Sequence, residues 1–185
     1  MAVFHARSLF FPPLREVEGV TVGVLSEDEA TARASDLGEL DSTLQACRAQ
    51  LARGELAIAA WADGRLVGTI WYAFGPTPAP ELGGTIFPTP NSVYVYHANV
   101  APAWKGRGVA ELMGAFAVPL LYDRGVQSGW MTIALDNTPS LNVFAKAPMV
   151  YARYDVHCVL TPFGRRFHIE PDDPQLRAFL GLCWH

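Results

Sequence analysis

The residues best suited to chemistry stand together between Val100 and Ala110, in the order Val-Ala-Pro-Ala-Trp-Lys-Gly-Arg-Gly-Val-Ala. An apolar, β-branched and aromatic run from Ser92 to Val100 leads into them, and an amphipathic segment follows. The pattern reads as a strand, a tight turn bearing Pro102, and the start of a helix. The first backbone N–H groups of a helix have no partner within it and carry partial positive charge, so such a start suits a phosphate or pyrophosphate. Gly106 and Gly108 let an anion approach the backbone with no Cβ in the way. Lys105 and Arg107 bring full positive charges to the same place. The chemistry expected here is the holding of an anionic cofactor.

A nicotinamide-binding fingerprint would need a third glycine at position 111, where this chain has Glu111, and no Gly-Lys-Ser/Thr is present. The order Val-x-Pro-x-aromatic followed by basic-Gly-x-Gly-x-Ala resembles instead the acyl-CoA-binding motif of the GCN5-related N-acetyltransferase (GNAT) superfamily. Lys105 stands where that family has Arg or Gln. A second stretch, Asp136-Asn137-Thr138-Pro139-Ser140-Leu141-Asn142-Val143-Phe144-Ala145-Lys146, resembles the family's Asn-x-x-Ala-x-x-x-Tyr-x-Lys. Thr138 is the expected N-cap of its helix and Pro139 the first helical residue. By resemblance, Asn99, Val100 and the loop Lys105, Gly106, Arg107, Gly108, Val109 and Ala110 hold acetyl-CoA or another acyl-CoA, with no metal. Asn137, Ser140 and Phe144 would join them from the second stretch. Phe144 occupies the slot of a tyrosine that often reprotonates the CoA thiolate, and a phenyl ring cannot donate a proton. Pro148-Met149 also replaces the family's Gly-Phe.

The elements that must position these residues follow from periodicity and turn chemistry. Val20 to Leu25 alternates like a strand, and Ser26-Glu27-Asp28-Glu29 reads as a capping box opening a short helix. Asp41 to Arg53 reads as a second helix with Leu44, Cys47 and Leu51 on one face and Gly54 as its stop. Leu56 to Trp61 and Leu66 to Phe74 flank Asp63-Gly64, a hairpin signal. Gly75 to Pro90 reads as a long irregular loop, and Ser92 to Val100 as the next strand. After the loop, Val109, Leu112, Met113, Phe116 and Leu120 repeat at helical spacing, and Pro119 should bend that helix. Trp130 to Leu135 reads as a strand, and Val150 to Leu160 with Arg165 to Ile169 as a closing hairpin. The order β-α-α-β-β-β-α-β-α-β-β is that of the GNAT superfamily. An α/β (α+β) fold is therefore expected, with a central mixed, mostly antiparallel sheet flanked by helices. A single domain over 1–185 is expected, with an N-terminal arm or edge strand at 1–17, the cofactor core at 92–149 and a tail at 171–185.

In the family the acyl arm lies where the strand before the glycine loop splays from its neighbour. The Val100 N–H would then donate to the thioester carbonyl as negative charge develops there. An amine attacks directly in a ternary complex, so the chain must bind both reactants closely and take a proton from the ammonium. Alternation places Tyr96 and Tyr94 on the face of Val100. Phenols are poor bases at neutral pH, leaving orientation or a proton relay through water as their roles. His97 is the residue type suited to a base, but simple alternation turns it to the other face; a bulge would shift that parity. Glu81 in the long loop could reach over the acceptor, and Trp71 and Tyr72 could line an aromatic acceptor pocket or merely pack in the sheet.

Composition narrows the partners. A net charge of −4 without a Lys/Arg run argues against nucleic acid or an anionic membrane. Three cysteines, Cys47, Cys158 and Cys183, odd in number and widely spaced, suggest reduced thiols in a cytoplasmic protein. His157-Cys158 and Cys183-Trp184-His185 lack zinc-ligand spacing. His5, Arg7 and Pro12-Pro13 interrupt the apolar start, unlike a signal peptide. The apolar arm and the tail Leu176 to Trp184 could cover a second copy, giving a homodimer. Two functions stand at this point. One is an acyl-CoA-dependent N-acyltransferase, most simply moving acetyl to a small-molecule amine. The other is a GNAT-fold protein that binds acyl-CoA with little or no catalysis, as a sensor or partner subunit.

Overall fold

The computed structural model describes residues 2–6, 16–80, 84–138, 140–141, 152–161, 164–170 and 173–180, with backbone alone for 2–6, 152–161 and 164–170. In chain order the strands are β1 (Ala2–Ala6), β2 (Val20–Val24), β3 (Leu56–Ala62), β4 (Arg65–Ala73), β5 (Thr77–Ala79), β6 (Gly84–Ile86), β7 (Ser92–Val100), β8 (Ser128–Ile133), β9 (Ala152–Thr161) and β10 (Gly164–Glu170). The helices named here are α1 (Glu27–Ala32), α2 (Leu44–Ala52), α3 (Val109–Asp123) and α4 (Pro174–Phe179). The fold is mixed α/β, its sheet pairings mostly antiparallel. The chain forms two compact units: a glycine-loop unit (Phe10–Ala73 with Val95–Gly125) and a C-terminal unit (Met1–Leu9, Phe74–Tyr94 and Val126–His185).

In the glycine-loop unit β2, β3 and β4 run antiparallel in sequence order, with β7 next to β4. Asp63 and Gly64 turn the β3–β4 hairpin with φ of 50° and 72°, as an Asp-Gly pair allows and most side chains do not. The expected capping box opens α1. The Ser26 hydroxyl accepts the Glu29 N–H at 3.2 Å, and the Glu29 carboxylate accepts the Ser26 N–H at 2.9 Å. The second helix is shorter than its pattern. Asp41, at φ 52°, ends a 3-10 helix over Leu37–Leu40, and α2 starts only after Thr43, whose hydroxyl accepts the Ala46 N–H at 3.1 Å. Its buried positions are Cys47 and the polar Gln50.

The 3-10 helix is tied to the sheet by charge. Asp36 is buried, accepts the Leu66 N–H at 2.9 Å, and takes the Arg65 guanidinium at 3.0 and 3.1 Å. The backbone N–H of Leu66, more than the Arg65 charge, holds the Asp36 carboxyl below its ordinary value. On α3 the buried stripe runs through Val109, Leu112, Met113, Ala117 and Leu121, one step round from the expected Phe116 and Leu120. Met113 in this stripe packs on Gly68 of β4, where a Cβ would stand 2.9 Å from Met113 Cε. Its absence lets the helix sit down on this face. Pro119 lies within α3 and is exposed, and the helix runs on through it to Asp123.

The C-terminal unit has the order β10-β9-β1-β8, all antiparallel, with the first residues of β7 next to β8. The N-terminal segment is therefore no edge strand. β1 pairs with β8 on one side and β9 on the other, so its apolar residues fill an interior position in the sheet. The expected irregular loop contains the small hairpin β5–β6. At three residues a strand, amid Gly, Pro and Thr, it is too short for alternation to reveal. Trp130 and Phe179 stack at 4.8 Å, Tyr94 meets Phe179 edge-on at 5.6 Å, and all three are buried. The expected tail is thus in part a helix, α4, capped by Asp173 and carrying Phe179 into this core.

Candidate active site

The glycine loop is built by two restraints and two left-handed glycines. The Ala101 N–H donates to the Val67 carbonyl at 2.8 Å, fixing the end of β7 against β4. Pro102–Trp104 forms one 3-10 turn, and Lys105 is extended. Gly106 and Gly108 then take φ of 73° and 87°. A Cβ on Gly106 would meet nothing, and one on Gly108 would meet only Val17 Cγ2 at 3.8 Å, so the backbone angle rather than space demands glycine. Gly108 is also the N-cap of α3 and, as a glycine, supplies no side-chain cap to that end.

Among the described residues, no side chain accepts from the leading N–H groups of this four-turn helix. Lys105 and Arg107 are exposed beside them, and neither makes an ion pair among the described residues. The Arg107 guanidinium lies over the Trp104 ring at 4.9 Å, which restrains it without neutralising it. This donor set fits a diphosphate: an open helix N-terminus, two flexible glycines and two unpaired cations. Val109 is buried, Ala110 exposed, and Val100 half-buried at the end of β7.

β7 does not alternate throughout. His97 has φ 45°, the left-handed region, in mid-strand. A residue of that kind makes a bulge and resets parity. Tyr96 reaches Gln50 on α2, and Asn99, three residues on, reaches the carbonyl of Leu40, the last residue of the 3-10 helix that precedes α2, at 2.9 Å. The shared face of Tyr96 and Val100 expected from simple alternation is broken by the left-handed His97 between them.

The three candidate bases now differ. Tyr94 is buried, and its hydroxyl shares a 2.7 Å hydrogen bond with Thr132. Tyr96 is half-buried; its hydroxyl donates to Glu55 and accepts from Gln50 Nε2 at 3.0 Å. Burial first, then the adjacent Glu55, pushes the Tyr96 phenol well above its ordinary value, so it holds its proton. His97 is exposed, its ring 4.8 Å from that of Tyr96. Trp71 and Tyr72 are buried in the core, and burial also drives the Tyr72 phenol upward. Neither presents a surface to an acceptor. Glu81 and Phe144 lie outside the described residues, as do Lys146 and Pro148-Met149.

In the C-terminal unit, Asn137 caps the helical turn that Thr138 was expected to cap. Its Oδ1 accepts the Ser140 N–H at 3.3 Å and its carbonyl accepts the Leu141 N–H at 3.0 Å. Asn137 is exposed. An open cavity of about 540 Å³ in the glycine-loop unit is lined by Thr21, Glu29, Arg33, Trp61 and Asp63, and touches no loop residue. No cluster of His, Cys, Asp or Glu able to hold a metal occurs among the described residues. Nor is any helix among them long and apolar enough to cross a membrane.

Sequence reasoning missed Glu55, Gln50 and Arg53. Glu55 is 7% exposed and Gln50 4% exposed, and Arg53 Nε pairs with Glu55 Oε1 at 2.7 Å. One signal was available: Gln50 falls three residues after Cys47, on the buried face of α2.

The α/β fold of this order carries its glycine loop between β7 and the N-terminus of α3. The Acetyltransferase (GNAT) family matches residues 21–147, and the chain belongs to it. No curated protein matches the chain. Among solved structures it resembles the aminoglycoside acetyltransferase meta-AAC0020 from an uncultured soil metagenomic sample (TM-score 0.58, 11% identity, 79% of this chain and 99% of that one). It also resembles the ribosomal-protein-S18-alanine N-acetyltransferase of Escherichia coli (TM-score 0.53, 11% identity, 81% and 90%). The chain spans 47% of the length of a GCN5-related N-acetyltransferase from Kribbella flavida, at 18% identity over 71% of its own length and a TM-score of 0.47. At these identities the likeness speaks for the fold alone.

Proposed function

We propose that this chain is an acetyl-CoA-dependent N-acetyltransferase acting on the amine of a small molecule. The observation that carries the reading is the N-terminus of α3 behind two left-handed glycines, with Lys105 and Arg107 exposed beside it and neither paired by an acidic side chain among the described residues. Family membership supports the same cofactor. When bound, acetyl-CoA supplies a thioester carbonyl open to attack by an amine. The residues of the chain do the rest. The α3 amides and the two cations hold the diphosphate. Asn99 is committed to the Leu40 carbonyl and so steadies β7. The Val100 N–H is the donor for the carbonyl oxygen. His97 takes the proton from the incoming ammonium, because it is the exposed member of the three candidates and the one not tied into buried hydrogen bonds.

The two phenols withdrawn into hydrogen bonds favour a second reading, an acyl-CoA-binding protein of little catalytic power. Calorimetric titration with acetyl-CoA, with desulfo-CoA and NADH as comparators, tests the cofactor. Micromolar binding weakened by Arg107→Ala or Gly108→Glu supports the loop; no binding to any CoA thioester sinks both readings. Thiol release with kanamycin A, a peptide with N-terminal alanine and spermidine then separates enzyme from binder. The first two probes are chosen from what the names of the structural neighbours say those proteins act on.

A further inference from the structure

Among the described residues, four that are not glycine have positive φ: Asp41, Asp63, Asn91 and His97. The first three are short acidic or amide residues at turns, where such angles are commonly tolerated. His97 stands inside a strand, and a left-handed residue persists there only when its surroundings over-determine it. Those surroundings are polar and buried. On the N-terminal side, the Tyr96 hydroxyl donates to Glu55 and accepts from Gln50 Nε2 at 3.0 Å. Glu55 is fixed in turn by Arg53 at 2.7 Å. On the C-terminal side, Asn99 Nδ2 donates to the Leu40 carbonyl at 2.9 Å. The backbone is thus tied down immediately before His97 and two residues after it. A buried carboxylate with its cation is weak evidence for added stability, because desolvation offsets the attraction. An apolar residue at position 55 would pack with less loss. The geometry therefore points to a role beyond packing.

We propose that Glu55, through Tyr96 and with Gln50, is a positioning residue: the buried cluster holds the left-handed bend at His97 and so aims the exposed imidazole at the acceptor amine. The inference rests on His97 being the proton acceptor in the reading above. Glu55 touches neither reactant and acts through the Tyr96 ring, which lies 4.8 Å from the imidazole ring.

The test is a double-mutant cycle. Tyr96→Phe and Glu55→Gln are each made in the wild-type and His97→Ala backgrounds. Acetyl transfer is measured with acetyl-CoA and whichever of kanamycin A, the alanine peptide or spermidine turns over fastest. In the wild-type background each change should lower kcat roughly tenfold and leave the acetyl-CoA Kd unchanged. In the His97→Ala background it should lower kcat no further. Equal losses in both backgrounds would overturn the proposal, since a purely structural role would act without regard to His97. The imidazole Cε1–H resonance of His97 gives an activity-free readout. A shift or broadening in Tyr96→Phe or Glu55→Gln is expected, and an unchanged line would overturn the proposal. Glu55→Asp keeps the charge and serves if Glu55→Gln does not fold. Should the wild type bind acetyl-CoA yet acetylate none of the three amines, the acetyltransferase reading fails and takes the base role of His97 with it. Failure of the cycle alone leaves that reading standing.

Discussion

Tyr96 and Asn99 stand three residues apart on β7, yet their side chains reach the same stretch of chain, Tyr96 to Gln50 and Asn99 to Leu40. An unbroken strand would point them to opposite faces. The left-handed residue between them, His97, reconciles the two.

That strain makes His97→Gly an informative change. Glycine adopts φ 45° without the Cβ clash, so unfolding by urea should show stability unchanged or raised, by up to about 1 kcal/mol. Acetyl transfer should fall about 100-fold or more as the base is lost. His97→Val should lose both, because a β-branched side chain tolerates this angle poorly. A stable His97→Gly protein with full activity would remove His97 from the mechanism.

Arg107 and Trp104 should be linked in cofactor binding. Arg107→Ala removes a charge that no acidic side chain among the described residues neutralises, and acetyl-CoA affinity should drop about tenfold, with a shallower dependence on salt. Trp104→Leu leaves the charge but frees the guanidinium, so a smaller loss, about two- to threefold, is expected. Calorimetry at two ionic strengths measures both.

Asp36 should confer acid sensitivity on the glycine-loop unit. Its folded pKa lies below its unfolded value, so its contribution is complete above the ordinary Asp value of 3.8 and is lost as pH falls through the depressed folded pKa. Asp36→Ala leaves the buried Leu66 N–H without its acceptor, at a cost of about 1–3 kcal/mol near neutrality. The gap to wild type should narrow when urea midpoints are measured below that pH. A gap constant with pH would contradict the assignment.

Phe179→Ala should be the most damaging single change in the C-terminal unit. The ring is fully buried, stacked on Trp130 and edge-on to Tyr94. Its loss should cost about 3–5 kcal/mol, and tryptophan fluorescence should report the loosening around Trp130 as unfolding shifts to lower urea.

Local chemistry made much of this chain legible. The Ser26–Glu29 box, the Asp63-Gly64 turn, the run into β7 and the Gly106-x-Gly108 loop each declare themselves within a few residues, because caps and left-handed turns depend on near neighbours. Only the tertiary structure decided the rest. β1 lies between β8 and β9 through pairings more than a hundred residues distant, which an apolar pattern cannot assign to a partner. The left-handed His97 leaves no mark in a run of strand-forming residues, and the groups that bond its neighbours Tyr96 and Asn99 come from Gln50, Glu55 and Leu40, distant in sequence. Glu55 and Gln50 read as solvated surface by residue type. They are buried because partners distant in sequence satisfy them, and burial of a polar group depends on those partners more than on its own identity.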